Sequence, residues 1–188
     1  MDESDHVSIL TGSTGNKDVN MLTGNTENKD VSILRAVWEL RKGMKIMKLM
    51  IMDGQGGGVG RSLVEELHAR YPEAELIAVG TNAAATSNMM KGGASIGATG
   101  ENAVVYNSAR VDVILGPIGI VMANAMLGEI TPRMAEAVSS GEAPILLLPM
   151  SRCNAQVMGV ENRKLADLVK EAADRVADLC TLNETAYK

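Results

Sequence analysis

Phenylalanine is absent from this 188-residue chain, and one Trp and three Tyr are its remaining aromatics. A core must therefore be assembled from Val, Ile, Leu, Ala and an unusual 13 Met. Methionine fills irregular gaps, and the methionines are read as core filler. Cysteine is scarce: Cys153 and Cys180 do not form a metal-type pair, no metal site is expected, and two thiols suit a reducing compartment. No basic cluster exceeds three residues and the net charge is −5, which argues against nucleic acid as a partner. The longest uncharged run, 113–128, is shorter than a membrane span and holds Gly116, Pro117 and Gly119. The acidic N-terminus lacks the apolar core of a signal peptide. The expectation is a soluble, cytoplasmic protein with no membrane partner.

The front of the chain repeats itself. Residues 7–18 read VSILTGSTGNKD, residues 19–30 read VNMLTGNTENKD, and VSIL returns at 31–34. Two and a third copies of a polar 12-residue unit cannot build a solenoid core. Met44 and Met47 sit just before the first apolar strand. Residues 1–43 are therefore read as a flexible extension upstream of the native domain, 44–182 as the folded domain and 183–188 as a tail.

From Met47 the pattern changes. An apolar run ends at Asp53, and five of the next seven residues, Gly54, Gln55, Gly56, Gly57, Gly58, Val59 and Gly60, are glycine. An amphipathic helix follows. Strand, glycine loop and helix in that order form the entry unit of a nucleotide-binding α/β domain. Glycine lets the backbone turn sharply and leaves room for a ligand at main-chain N–H groups. The helix points the positive end of its dipole at the same place. The glycine spacing, G-x-G-x-x-x-G, is a variant of the dinucleotide fingerprint. The lysine and hydroxyl of an ATP-hydrolysing loop are missing, since Arg61 and Ser62 follow Gly60. A Cβ at Gly56 or Gly58 is expected to enter the space of a phosphate, and to be strained if φ is positive there.

Strands are expected at about 46–53, 75–80, 111–115 and 144–148. Helices are expected at about 58–70, 83–91, 101–109, 118–127, 132–140 and 161–179, with 95–100 as a loop. Thr131 and Pro132 read as the N-cap and first-turn proline of the helix at 132–140. Thr99, Glu101 and Asn102 read as a capping pattern for the helix at 101–109, and could also face a ligand. Each strand is almost continuously apolar, which means a parallel sheet covered on both faces. The fold class is a small, doubly wound, mostly parallel α/β sheet, Rossmann-like, of four to five strands.

In such folds ligands lie beyond the carboxyl ends of the strands. Those ends collect Asp53 and the loop Gly54–Gly60, then Thr81 and Asn82, then Gly116 and Pro117, then Arg152 and Cys153. The loop is the phosphate site, Thr81 and Asn82 would meet a ribose, and Gly116-Pro117 would pass under a base or nicotinamide. The absence of an acid at the end of the second strand leaves a slight preference for NADP over NAD. Asp53 would repel phosphate unless it caps the loop's own N–H groups or meets a metal, and capping is the reading adopted. Arg152 could grip a carboxylate or phosphate, or stand in a surface ion pair. Cys153 could be a nucleophile favoured by Arg152, or a small buried residue. The stretch 118–127 reads as a helix apolar all round, buried or paired with a second subunit, with Asn124 as its one polar residue. Glu129 reads as a helix cap.

The strings DGQGGGVGRSLVEEL, AVGTNAAATSNM, GATGENAVVYN, GPIGIVMANAMLGEIT and RCN resemble a small bacterial family known as domain-of-unknown-function 3842. The resemblance covers roughly 44–160. It implies a Rossmann-like nucleotide-binding fold beginning near Met44, and it assigns no catalytic residue.

Three functions fit these readings. The first is a protein that binds NAD(P) or another phosphate-containing cofactor, working as a small reductase. The second is a non-catalytic nucleotide sensor or assembly protein working as a homo-oligomer. The third is a thiol-dependent enzyme using Cys153.

Overall fold

The computed structural model describes residues 46–149, 157–160 and 163–185. The repeat at 7–34, and the candidates Arg152 and Cys153, lie outside them.

The first strand, β1 (Lys48–Asp53), is followed by α1 (Gly58–Arg70), β2 (Glu75–Gly80), α2 (Ala83–Lys91), β3 (Ile96–Thr99) and α3 (Glu101–Ser108). Next come β4 (Val113–Pro117), a 3-10 turn (Ile118–Val121), α4 (Pro132–Ser139), β5 (Ile145–Leu148) and α5 (Leu165–Thr185). The five strands lie in the order β3-β2-β1-β4-β5, and every pairing is parallel. The chain moves outward on one side of β1 as far as β3 and then crosses to β4 on the other side. The loops after β1 and β4 therefore diverge, and this is where a doubly wound sheet opens a ligand crevice.

Both faces of the sheet are covered. Leu49 and Ile51 of β1 point into a core closed by Leu63, Val64 and Leu67 of α1, Met89 of α2, and Val169, Ala173 and Val176 of α5. Met50 and Met52 point the other way, into a core closed by Val104 of α3, Ile120 and Ile130, and Met134 and Val138 of α4. Continuous apolar strands are required because each alternate residue meets a different buried layer. Met50, Met52, Met89 and Met134 are buried, as core filler should be, whereas Met90 and Met158 are exposed.

Three expectations need correction. Residues 96–99 are an edge strand and not part of a loop: Ile77 to Gly80 pair with Ile96 to Thr99. The segment 118–127 is not a helix. It makes one 3-10 turn and then a strap in which Asn124, Met126 and Leu127 all have φ between 57° and 64°. Right-handed helix cannot continue through left-handed residues. Asn124 is exposed there, so it is not a buried polar group, and the apolar helix proposed as a subunit contact does not exist. Lastly, α3 has no side-chain cap, since its N-cap is Gly100 with φ 91°. Thr99 instead meets the Thr86 hydroxyl at 2.7 Å, and Glu101 accepts from Thr131 at 2.6 Å. The capping of α4 is as expected: Thr131 accepts from the Met134 N–H at 3.1 Å, with Pro132 in the first turn.

Candidate functional site

The loop between β1 and α1 is shaped by distinct demands at each glycine. The Gly57 N–H donates to the Gly54 carbonyl at 2.9 Å and closes the turn. Gly57 is the N-cap of α1 with φ 65°, and a Cβ on it would lie 2.7 Å from the Ala85 backbone. A Cβ on Gly54 would lie 2.6 Å from Met126 Sδ and 2.9 Å from Glu129 Oε2. One on Gly60 would press into Met89 and the Asp53 side chain. These three glycines are explained by packing and backbone conformation alone.

Gly56 and Gly58 are different. Both are exposed, neither has a left-handed φ, and a Cβ on either meets nothing within 4 Å. The expectation of possible strain there is corrected: Gly57 alone of the three consecutive glycines carries a positive φ. Among the described residues, the N–H groups of Gly56 and Gly58 have no hydrogen-bond partner. Both line a cleft of about 450 Å³ together with Asp53, Val59, Pro117, Gly119, Met126 and Leu165.

Asp53 performs the capping that Gly57 cannot. Its Oδ1 accepts from the Gly54 N–H at 2.8 Å and its Oδ2 from the Gly60 N–H at 2.7 Å, the latter in the first turn of α1. The side chain is buried, and burial pushes its carboxyl above the ordinary aspartate range. The N–H donors of Gly60, Gly54 and Val59 pull the other way, and the charge of Glu129 adds a smaller upward push.

Glu129 arrives from the strap. Its Oε2 accepts from the Gln55 N–H at 2.8 Å, the Thr81 hydroxyl at 2.5 Å and the Asn82 amide at 2.9 Å. Partial burial opposes its charge, but the Thr81, Gln55 and Asn82 donors outweigh it and hold the carboxyl below the ordinary glutamate range. Thr81 and Asn82 thus stand at the end of β2 as the sequence placed them, and their polar groups face Glu129. Asn82 also caps α2 by accepting from the Ala85 N–H, and donates to the Gln55 carbonyl. Asn88, one helical turn and more further on, donates to the Gly56 carbonyl at 2.9 Å. Gly116 is buried beneath the site, where a Cβ would meet the Met52 carbonyl, while Pro117 faces the cleft.

Sequence reasoning missed Glu129, Met126 and Asn88 at this site. Asn88 carried a weak signal, a second amide on a helix already capped by an asparagine. Glu129 carried none, because its partners lie 47 to 74 residues away. Among the described residues no group of three His, Cys, Asp or Glu could hold a metal ion. No helix among them is long and apolar enough to cross a membrane.

The family model described as Domain of unknown function (DUF3842) matches residues 48–181, from β1 into α5. The chain belongs to this family. Within it, the glycine loop, the β2 end and the strap all lie inside the matched span. No curated protein matches the chain. Among solved structures it is similar to a dodecameric FMN-dependent Ubix-like decarboxylase from Escherichia coli O157:H7. The identity is 18%, with 70% of this chain and 76% of that one covered and a TM-score of 0.38.

Proposed function

We propose that this domain binds a phosphate-bearing, nucleotide-type cofactor in the cleft between the loop 54–60 and the end of β4. The observation that carries the reading is the pair Gly56 and Gly58. Nothing in the fold requires glycine at either position, yet both line the cleft at the N-terminus of a 13-residue helix and carry backbone N–H groups with no partner among the described residues. Open N–H donors at a helix N-terminus form a ready anion site. Asp53 does not compete for that anion at the same donors, since it is already engaged by Gly54 and Gly60. Val59, Pro117, Met126 and Leu165 supply apolar walls suited to a flat ring next to the phosphate. Arg61, on the first turn of α1, is paired with Glu65 and Asn88 and leaves the phosphate to the backbone.

A thermal-shift series with FMN, AMP, NAD and NADP tests the reading. A ligand at 100 times its dissociation constant adds about 2.7 kcal/mol of stability. A rise in melting temperature with one of them, lost when Gly58 is replaced, is expected. No rise with any of the four overturns the reading.

A further inference from the structure

We propose that Glu129 determines ligand specificity at this site by closing its β2 side, so that the cleft accepts a single-phosphate ligand and rejects a dinucleotide. The proposal rests on the phosphate-site reading above and adds the ligand class.

In doubly wound dinucleotide sites the second nucleotide extends across the glycine loop towards the end of β2, where its ribose hydroxyls are held. Here that place is filled from within. A single carboxylate oxygen of Glu129 takes one hydrogen bond from the loop, at Gln55, and two from the β2 end, at Thr81 and Asn82. Met126, three residues earlier, lies against Gly54 so closely that a Cβ there would come within 2.6 Å of its sulfur. Met126 is consequently a wall of the cleft, whereas Thr81 and Asn82 do not line it. The open space runs the other way, past Val59 to Pro117, Gly119 and Leu165.

The strap that delivers Glu129 has a defined shape. Asn124, Met126, Leu127 and Gly128 are left-handed, and the backbone bonds from Asn124 N–H to Ile130 carbonyl and from Ile130 N–H to Ala125 carbonyl close it into a compact loop. Such a loop positions one side chain at its end, and that side chain is Glu129.

FMN with FAD, and nicotinamide mononucleotide with NAD, are matched pairs in which the second member carries an added adenosine nucleotide, the half held at the β2 end in dinucleotide sites. Titration calorimetry of all four against the full-length chain and its E129A and E129Q variants, each checked for folding by circular dichroism, tests the proposal. The wild-type chain should bind a single-phosphate member at least tenfold more tightly than its dinucleotide. E129A should bring the two to within about threefold. E129Q, which keeps the side-chain oxygen and its length, should retain most of the discrimination. Equal wild-type affinity for both members of the pair overturns the proposal and leaves the phosphate site standing, as does discrimination that persists unchanged in E129A. If neither the four ligands nor inorganic phosphate bind the wild-type chain, the phosphate site itself is wrong and the proposal falls with it.

Discussion

Replacing Gly58 by Ala should move stability and binding in opposite directions. Gly58 is the first residue of α1, its φ is not left-handed, and the added methyl would meet no atom within 4 Å. On the folding side the substitution only removes backbone freedom from the unfolded chain, which stabilises by about 0.4–1 kcal/mol where the native conformation suits alanine. For a domain of this size that is a rise in melting temperature of roughly 1–4 °C. On the binding side the methyl stands in the cleft beside the two open N–H groups. Keeping a phosphate oxygen away from one N–H should cost at least tenfold in affinity, about 1.4 kcal/mol. The neighbouring glycines give the contrast. Gly57→Ala must hold a side chain at φ 65° against the Ala85 backbone, and Gly60→Ala must displace Met89 and Asp53. Each should destabilise by about 1–3 kcal/mol. Urea denaturation and titration calorimetry with the tightest ligand of the series, run on the same preparations, read both quantities. If Gly58→Ala binds as well as the wild-type chain, or loses more than about 1 kcal/mol of stability, the claim that this glycine serves the ligand and not the fold is refuted.

Asp53→Ala should lower stability by about 1–3 kcal/mol, because it orphans the buried N–H groups of Gly54 and Gly60, and Asp53→Asn by about half as much; unchanged urea midpoints in both would show that the cap is not needed. Glu129 contributes in a pH-dependent way. Its folded pKa is lowered, so its stabilisation is present above the ordinary glutamate value of about 4.3 and is lost as pH falls through the lowered folded value. The stability gap between the wild-type chain and E129Q should therefore be largest near neutral pH and shrink under acid; a gap that grows as pH falls contradicts the assignment. Leu127 is 98% exposed at φ 60°, so Leu127→Gly relieves a left-handed side chain that packs on nothing. It should leave stability unchanged or raise it by up to about 1 kcal/mol; a clear fall in melting temperature would mean that Leu127 is held by a contact.

The long elements were legible because their signals are local. β1, β2 and β4 announce themselves as apolar runs ending in Asp or Gly, α1 by its helical apolar spacing, and the start of α4 by Thr131-Pro132. The role of Asp53 as a cap followed from one electrostatic argument: a carboxylate beside a phosphate loop would repel the phosphate unless it caps the loop's own N–H groups or meets a metal. β3 was hidden because it is short, largely exposed and half glycine and alanine, and only its pairing with β2 makes it a strand. The stretch 118–127 was misread for the opposite reason. Its apolar residues satisfy a helical pattern, and nothing local shows that three of its non-glycine residues are left-handed. That conformation is held by contacts distant in sequence: Ile120 and Ile130 anchor in the core beneath β1 and β4, and Glu129 reaches Gln55, Thr81 and Asn82. Composition and periodicity thus determined the layers, the parallel sheet and the glycine loop. Which glycines face the cleft, and which carboxylate ties the loop to the end of β2, were decided by tertiary structure, because both depend on what residues far along the chain bring to the same few ångströms.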